Sequence, residues 1–583
     1  AVTRPGTEQA KKSESGFHGR DYTLSVYARS ILREKGLSAL VAVSSSVSGR
    51  RAGSSPPPGG GSFCIPARGR WLLLVASSTM GAMIAARPRA RRRARRPHLL
   101  RSLLSWLVPV AGALLVLIPL SLVPTSASAS PVSARAVDDP SLSAVDSYVG
   151  REVAKTHVPG AALVVVDKDG TLLESAYGDH PGVHRPQIIG STSKSFTALA
   201  IMQLVEAGRV DLDAPVSTYL PDVEIGDRIT ARRLLTHTGG LGADQRRNEL
   251  SGLGEQGGYE YSNVGYQLLG EIVAAASGST YEDYLRVHIL DPLGMKDTYT
   301  SLEAAKAGGL VPGHRNWFGV FVSEELEYPG QAGWGEVPAG YIISSAADMG
   351  RYLQMYLRGG EGIISRAGID TMLTGTAPTG GGASYGMGWN DAEAPGSEPL
   401  KSHDGLVENY ASTMLVLPER GVAAVMLINA NDFFVADGMY SSISEGLVAH
   451  LTGRPGTAPV LSASRYVRGH VLFDAVLLAV ALVALAPALM LPRWWRSGSG
   501  GQTLSGGRRR RALRVVSFLL LHIAFPLMLF CLPYVAGRAW FAVRAYAPDL
   551  HAVVVGAIMV SVAVGLVKGL VLLRRRIVRP SAP

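Results

Sequence analysis

Three short motifs contain residue types that together could transfer an acyl group. The first, Ser191-Thr192-Ser193-Lys194, places a hydroxyl and an amine three residues apart, on the same face of a helix. The first N–H groups of a helix have no intrahelical partner, and the helix dipole favours negative charge there. A serine in that position can attack a carbonyl carbon while its own N–H binds the oxyanion. The lysine must be neutral to accept the serine proton.

The second motif is Tyr261-Ser262-Asn263, the only Tyr-x-Asn in the chain. Its phenol could relay a proton to a leaving group, and its side-chain amide could orient the lysine or a substrate amide. A packed tyrosine that leads into a helix is the alternative interpretation. The motif alone does not decide between the two.

The third motif is His403-Asp404-Gly405, placed just before two predicted strands. His180 and His237 also begin a His-x-Gly, so the position after the other two motifs selects His403. A glycine here would let a substrate backbone approach closely, and a nearby strand edge could pair with a peptide-like substrate.

The elements that must position these motifs follow from hydrophobic periodicity and turn residues. Strands at both ends of the domain and helices between them predict an α+β fold, in which helices flank an antiparallel sheet. The predicted helices cover residues 141–155, 192–207, 265–276, 281–289, 346–357 and 437–452. The predicted strands cover residues 162–167, 171–177, 411–417 and 422–428.

In this order and context, the three motifs resemble those of the penicillin-recognising serine hydrolases of the class C β-lactamase type. That group includes DD-carboxypeptidases, D-aminopeptidases and esterases. The resemblance runs from about residue 158 to 428 and implies a β-lactamase/transpeptidase-like fold with an all-helical insertion. Flanking segments that share it are residues 158–161, 189–194, 234–241, 261–266, 292–295, 338–340 and 385–388.

The resemblance also implies a role for each motif residue. Ser191 would be the nucleophile, Lys194 its base and Tyr261 the proton relay to the leaving group. The backbone N–H groups of Ser191 and Leu406 would form the oxyanion hole. The positions implied to bind substrate are Asn263, His403, Gly405 and Leu406. Neither a metal nor an organic cofactor is implied.

The chain departs from the β-lactamase pattern at the third motif. His403 stands where β-lactamases commonly carry lysine, and a histidine is mostly neutral at pH 7, so it attracts a substrate carboxylate less. Asp404 adds a negative charge nearby, and Leu406-Val407 replaces the glycines often found next. These departures weaken the prediction of efficient β-lactam hydrolysis. His237 lies in a segment that looks structural in the family.

The positive charge of the chain is concentrated beside its apolar runs. The net charge is +11, and arginine clusters flank long apolar stretches, which indicates topology signals at a bilayer rather than nucleic-acid binding. Two cysteines in the chain exclude a disulfide-framed scaffold and a multi-cysteine metal site.

The chain divides into regions of different composition. We interpret residues 1–79 as preceding the true start, at Met80 or Met83, or as a disordered extension. Residues 80–129 have the basic, apolar and small-residue plan of a signal peptide, with an uncleaved anchor as the alternative. Residues 135–456 form the predicted hydrolase domain. Three runs, 471–491, 515–535 and 552–573, are long enough to cross a bilayer.

Arginine distribution predicts the orientation in the membrane. Seven arginines follow the first run and four follow the third, whereas two lie between the second and third. The positive-inside rule then places the first loop and the C-terminus in the cytoplasm and the hydrolase domain outside the cell.

The sequence therefore predicts a multi-pass membrane protein whose extracellular serine hydrolase domain cleaves an amide or ester through an acyl-serine. Its predicted partners are a small-molecule or peptide substrate and the lipid bilayer. The alternatives are a penicillin-binding DD-carboxypeptidase, a non-catalytic sensor of β-lactams or peptides, and a scaffold with a degenerate domain. The substrate and the oligomeric state stay open.

Overall fold

The computed structural model describes residues 140–577, except 244, 326–335, 497–507 and 537. The described residues all belong to one compact unit. The interpretations of residues 1–79 and 80–129 therefore concern residues outside the described part.

The strands of the globular domain form three sheets. The strands are β1 (Gly160–Asp167), β2 (Thr171–Gly178), β3 (Gln187–Ile188), β4 (His314–Trp317), β5 (Val320–Ser323), β6 (Ile343–Ser344), β7 (Ala377–Gly380), β8 (Ala383–Tyr385), β9 (Asn390–Ala394), β10 (Glu398–Leu406), β11 (Ala411–Leu417), β12 (Val422–Ile428) and β13 (Ala430–Asn431). An antiparallel sheet of eight strands forms the centre of the domain, in the order β2-β1-β12-β11-β10-β9-β8-β7. A three-stranded sheet, β13-β4-β5, and a two-stranded sheet, β3-β6, lie beside it.

Helices cover both faces of this sheet, and further helices form the C-terminal part of the chain. They are α1 (Pro140–Ala154), α2 (Ser193–Glu206), α3 (Ala231–Leu235), α4 (Asn263–Ser277), α5 (Tyr281–Leu285), α6 (Leu302–Ala307), α7 (Ala346–Leu357), α8 (Arg366–Leu373), α9 (Asp437–Leu451), α10 (Arg465–Leu489), α11 (Leu491–Arg496), α12 (Arg508–Leu519), α13 (Phe525–Val535), α14 (Trp540–Tyr546) and α15 (Pro548–Ile577).

Strand β1 shows why the central sheet is buried on both faces. Alternate side chains of a strand point to opposite faces, and here both sets are apolar. Val164 packs into a cluster with α2 and α7. Leu163 and Val165 pack into a second cluster with α1 and α9. The sheet is thus a rigid central layer between two helical layers.

This architecture confirms the predicted α+β fold with a helical insertion. The insertion runs from α2 to α7, and the predicted ranges of α7, β11 and β12 agree with the structure to the residue. The sequence did not predict β7 to β10, because Ala-Pro-Thr-Gly in β7 and Asn-Asp-Ala-Glu-Ala in β9 lack alternating hydrophobicity. These strands form because a long antiparallel edge is available to pair with them. His403 therefore lies inside β10 rather than before the sheet.

Three helical segments at the C-terminal end are long and apolar enough to cross a membrane: 465–496, 512–535 and 548–573. The predicted runs 471–491, 515–535 and 552–573 lie within them. They pack together through a small apolar cluster that includes Ala484, Leu529, Val554 and Ala557. Many of their other apolar side chains point outward.

The N-cap residue of helix α4, Ser262, sets the direction in which the helix leaves the preceding loop. Ser262 adopts an extended conformation, and its hydroxyl accepts a hydrogen bond from the backbone N–H of Gly265 at 3.3 Å. Tyr261 and Asn263 stand on either side of this cap. The cap therefore sets how both side chains leave the backbone.

We predict that Ser262→Ala lowers the free energy of unfolding by about 1 kcal/mol, because an N–H at the start of α4 loses its acceptor. Ser262→Gly serves as the matched variant, since glycine is also tolerated at this position, and it costs roughly a few tenths of a kcal/mol. Thermal unfolding of the three proteins measures both differences. Equal stability of the alanine variant and the unsubstituted protein would contradict the assignment of this cap.

Candidate active site

Two glycines bring the start of helix α2 against strand β10. Gly190 has a φ of +57°, and a Cβ there would lie 2.5 Å from the backbone nitrogen of Leu406. A Cβ on Gly405 would lie 2.1 Å from the carbonyl oxygen of Ile189. Any side chain at either position would push the two backbones apart. These two glycines allow the N–H of Leu406 to lie beside Gly190, the residue before Ser191, as the predicted oxyanion hole requires.

The side chain of Lys194 is fully enclosed in the site. It is 0% exposed, and no carboxylate in the described ranges forms an ion pair with it. Its amine lies 3.1 Å from Ser191 Oγ, 2.8 Å from Asn263 Oδ1 and 2.5 Å from the carbonyl oxygen of Ala339. Burial lowers the pKa of Lys194 well below its usual value, because the charged form loses its hydration.

A neutral amine fits these three contacts. It has two N–H groups and one lone pair. The N–H groups can be donated to Asn263 Oδ1 and to the Ala339 carbonyl, both of which are acceptors. The lone pair is then left for the Ser191 hydroxyl. In this arrangement Lys194 can accept the proton of Ser191, which is the property that a general base needs.

Tyr261 completes the group around Ser191. Its Oη donates a hydrogen bond to Ser191 Oγ at 2.7 Å. The Lys194 amine lies 4.7 Å from the centre of the Tyr261 ring. The nucleophile therefore lies between two groups that can move protons, one from α2 and one from the loop before α4. The structure brings Ser191, Lys194, Tyr261 and Asn263 together, as the motifs predicted.

His403 borders the site, but both of its ring nitrogens are occupied. Nδ1 donates to the carbonyl oxygen of Asp404 at 2.7 Å, and Nε2 accepts from Tyr385 Oη at 2.9 Å. Burial lowers the pKa of His403 to about 3. The ring is therefore neutral and offers no positive charge to a substrate carboxylate.

Asp404 lies on the other face of β10 from His403 and Gly405. Thr413 Oγ1 donates to its carboxylate at 2.8 Å, and Thr413 in turn accepts from Ser444 of α9. The alternation of side chains along a strand accounts for this placement. Contrary to the sequence expectation, the Asp404 charge faces α9 rather than the substrate.

His237 supports Tyr261. Its Nδ1 accepts from the backbone N–H of Ser262 at 3.1 Å, and its ring centre lies 4.4 Å from that of Tyr261. Burial lowers its pKa well below the usual value, so the ring is neutral. The structure agrees with the interpretation of His237 as structural and adds that it packs against a site residue.

Sequence reasoning missed the acceptor role of a backbone carbonyl. Residues Val337–Tyr341 form a π-helical turn that presents the Ala339 carbonyl to Lys194. The sequence marks the segment 338–340 only as a flank that resembles the family. A backbone group carries no signal in its residue type, so only the folded geometry reveals it.

One edge of β10 is open beside Ser191. Strand β9 pairs with β10 only as far as Ser402. From His403 to Leu406, no strand in the described part of the chain pairs with that edge. An extended substrate could add to it by main-chain hydrogen bonds.

Lys194 is neutral in the folded protein and protonated in the unfolded chain, so its loss of a proton on folding should make the stability depend on pH. The unfolded chain binds the extra proton, so stability rises with pH between the lowered pKa and about 10.5. We predict that, in this window, the unsubstituted protein gains about 1.4 kcal/mol per pH unit relative to Lys194→Met.

Chemical denaturation of both proteins at several pH values, followed by tryptophan fluorescence, measures the difference. The hydrogen bonds lost in the methionine variant shift its stability equally at every pH, so they do not affect the slope. A difference that is independent of pH would mean that the folded protein keeps Lys194 protonated.

Residues 145–443 match the Beta-lactamase family. Protein flp of Staphylococcus aureus strain MW2 is 26% identical over 447 residues, which cover 69% of this chain and 85% of that protein. Penicillin-binding protein 4 of Amycolatopsis lactamdurans is 30% identical over 339 residues, which cover 51% of this chain and 87% of that protein.

Among solved structures, the octameric penicillin-binding protein homologue from Pyrococcus abyssi is similar. It shares 27% identity with a TM-score of 0.49, and the match covers 54% of this chain and 79% of that chain. The family match at residues 145–443 includes all three motifs and more than half of the chain. The protein therefore belongs to the Beta-lactamase family.

Proposed function

We propose that the protein is a serine hydrolase that cleaves an amide or ester through an acyl-serine intermediate. The observation that carries this proposal is the enclosed amine of Lys194, 3.1 Å from Ser191 Oγ and without a carboxylate partner among the described residues. A lysine with only a structural role would gain nothing from burial without a carboxylate, since desolvation of its charge is costly.

The reaction follows from the contacts. Ser191 Oγ attacks the substrate carbonyl carbon and gives its proton to Lys194 Nζ. The carbonyl oxygen becomes an oxyanion, which the N–H groups of Ser191 and Leu406 can bind. Collapse of this intermediate breaks the bond to the leaving group, and Tyr261 delivers a proton to that group as Lys194 restores the proton to the phenol. A water molecule then hydrolyses the acyl-serine by the reverse sequence.

The distribution of charge supports an extracellular catalytic domain. The predicted cytoplasmic segments carry eleven arginines in all, seven after the first run and four after the third. The segment between the second and third candidate spans carries Arg538 and Arg544 alone. By the positive-inside rule, that segment and the hydrolase domain lie outside the cell.

The charges around β10 favour a substrate without a free carboxylate next to the reacting group. His403 is neutral. Lys401 of β10 pairs with Asp391 at 2.5 Å, and Arg420 and Arg454 lie beside Glu398, at the opposite end of the strand from the third motif. This favours an ester or amide with an uncharged end over the carboxyl-terminal peptide that a DD-carboxypeptidase cleaves.

The contacts also bear on the non-catalytic alternative. A sensor that only binds its ligand has no need for a neutral amine and a phenol that both touch one hydroxyl. Here Ser191 Oγ contacts both. We therefore favour the hydrolase over the sensor and over the degenerate scaffold.

We predict that the full chain in detergent hydrolyses 4-nitrophenyl acetate and that Ser191→Ala lowers this rate roughly 10³-fold or more, because the acyl group loses its acceptor. Ser195→Ala is the matched control, since Ser195 lies on the same helix and its hydroxyl donates to the Thr192 carbonyl at 2.8 Å. Intact mass measured after exposure to a penicillin provides a second readout: the penicillin carboxylate makes it a poorer acyl donor than an uncharged ester, and any adduct that forms should require Ser191. Equal turnover by Ser191→Ala would refute the catalytic assignment.

The charge argument gives a separate prediction. Between two matched aryl esters, 4-nitrophenyl acetate and the 4-nitrophenyl ester of succinic acid, we expect the uncharged ester to be turned over about tenfold faster, as little more than 1 kcal/mol of uncompensated charge would produce. The ratio of kcat/KM values, corrected for uncatalysed hydrolysis, measures this. A preference for the succinyl ester would show that a cation does reach the substrate.

A further inference from the structure

Helix α14, between the second and third candidate spans, contacts the helical insertion of the catalytic domain. The guanidinium carbon of Arg246 lies 4.5 Å from the centre of the Phe541 ring. Arg246 belongs to the loop that precedes Tyr261, and this loop is tied to the site because Ser262 Oγ donates to the carbonyl of Gly242 at 3.5 Å. The helix therefore lies beside the wall of the site that carries Tyr261.

The same helix also contacts the sheet side of the domain. Arg315 of β4 donates to the backbone carbonyl of Arg544, and the rings of Phe433 and Tyr546 lie 5.8 Å apart. Strand β4 pairs with β13, where Asn431 Nδ2 donates to the carbonyl of Val407 at 2.5 Å. Val407 follows Leu406 of the predicted oxyanion hole, so α14 contacts segments that lead to both sides of Ser191.

The turn between β4 and β5 rests on the ends of the first and third candidate spans. The backbone N–H of Phe318 donates to Asp549 Oδ2 at 3.2 Å, at the start of α15. Tyr466, near the start of α10, donates to the carbonyl of Gly319 at 3.2 Å. These contacts fix the catalytic domain against the same end of the helical bundle on which α14 lies.

A buried contact joins α10 to the residue that follows β13. His470 Nε2 lies 2.8 Å from Asp432 Oδ2, and both side chains are buried. Asp432 follows Asn431, which holds Val407. Residues 431 and 432 thus connect Val407, next to the predicted oxyanion hole, with His470 in the first candidate span.

An apolar surface continues from the spans onto the catalytic domain. Phe318, Val320, Val322 and Phe434 are 48%, 60%, 44% and 52% exposed. Val320 and Val322 lie on the same face of β5, and the ring of Phe434 stacks on that of Phe473 in α10 at 5.2 Å. Because this surface is continuous with helices that face lipid, it fits the interfacial region of the same leaflet.

We propose that the catalytic cleft opens along the outer surface of the bilayer and that its substrate carries the scissile ester or amide on a lipid-anchored molecule. This inference rests on the proposed function, including the extracellular placement of the domain. Helix α14 contacts the loop before Tyr261 and strand β4, whose neighbour β13 binds Val407, so a reacting group held at headgroup height would meet the segments that border Ser191. A soluble ester would enter the same cleft without the gain in local concentration that a shared membrane surface provides.

The test uses the full chain in phosphatidylglycerol and phosphatidylethanolamine vesicles and two esters with the same reacting group. One is 4-nitrophenyl acetate. The other is the acetate ester of a nitrophenol tethered to the headgroup of phosphatidylethanolamine. We expect the lipid ester in the protein's own vesicle to be turned over roughly tenfold or more faster than the soluble ester at equal bulk concentration. We expect little turnover when the lipid ester lies in separate vesicles.

Variants separate the role of α14 from simple membrane attachment. Phe541→Ala should lower the ratio of lipid-ester to soluble-ester turnover about fivefold, because the contact between α14 and the Tyr261 wall is lost. Trp495→Ala, at the far end of the first candidate span, is the matched control and should leave the ratio unchanged.

The outcomes distinguish this inference from the proposed function. Equal hydrolysis of the lipid ester in the same and in separate vesicles would show that the cleft opens away from the membrane, and would overturn the inference alone. An unchanged ratio in Phe541→Ala would also overturn it. Absence of Ser191-dependent turnover of either ester would refute the proposed function, and the inference would fall with it.

Discussion

The burial of one amine without a carboxylate partner is the constraint on which the rest of the site depends. Removing a charged lysine from water costs several kcal/mol or more, and no anion near Lys194 offsets it in the described part of the chain. The amine is therefore neutral, and its two N–H groups need acceptors. The Asn263 amide and the Ala339 carbonyl supply them. What remains is a lone pair directed at Ser191, so the arrangement that satisfies the lysine also makes it a base.

The groups around Ser191 come from three separate parts of the fold, which must hold their places to within a fraction of an ångström. Asn263 depends on the cap of α4, and Ala339 depends on a π-helical turn. Ser191 depends on the contact of Gly190 with β10. The central sheet makes this possible, since β11, to which β10 is paired, packs into apolar clusters on both faces of the sheet. The site is thus built on a strand that is held by the core of the domain.

The C-terminal helices are joined to this scaffold through polar contacts rather than through a flexible tether. Asp432 and His470 form a buried pair, and Asp549 accepts from the backbone of the β4–β5 turn. Unpaired polar groups at such a junction would be costly, so these contacts fix the orientation of the domain relative to the bundle. Together with the contacts of α14, they fix the position of Ser191 relative to the end of the bundle of apolar helices.

The sequence by itself determined the candidate site residues, the fold class and the apolar C-terminal runs. Each leaves a local signal, such as the Ser191 to Lys194 spacing, the alternation in β11 and β12, or an uninterrupted apolar stretch. Only the tertiary structure decided that His403 is neutral and fully hydrogen-bonded, that Asp404 faces α9, and that the Ala339 carbonyl completes the lysine site. Only the tertiary structure, likewise, brought α14 against the loop before Tyr261 and against β4. These features depend on burial, on the face of a strand to which a side chain points, and on backbone groups from distant segments. A residue's type and its spacing from its neighbours do not determine any of these three properties.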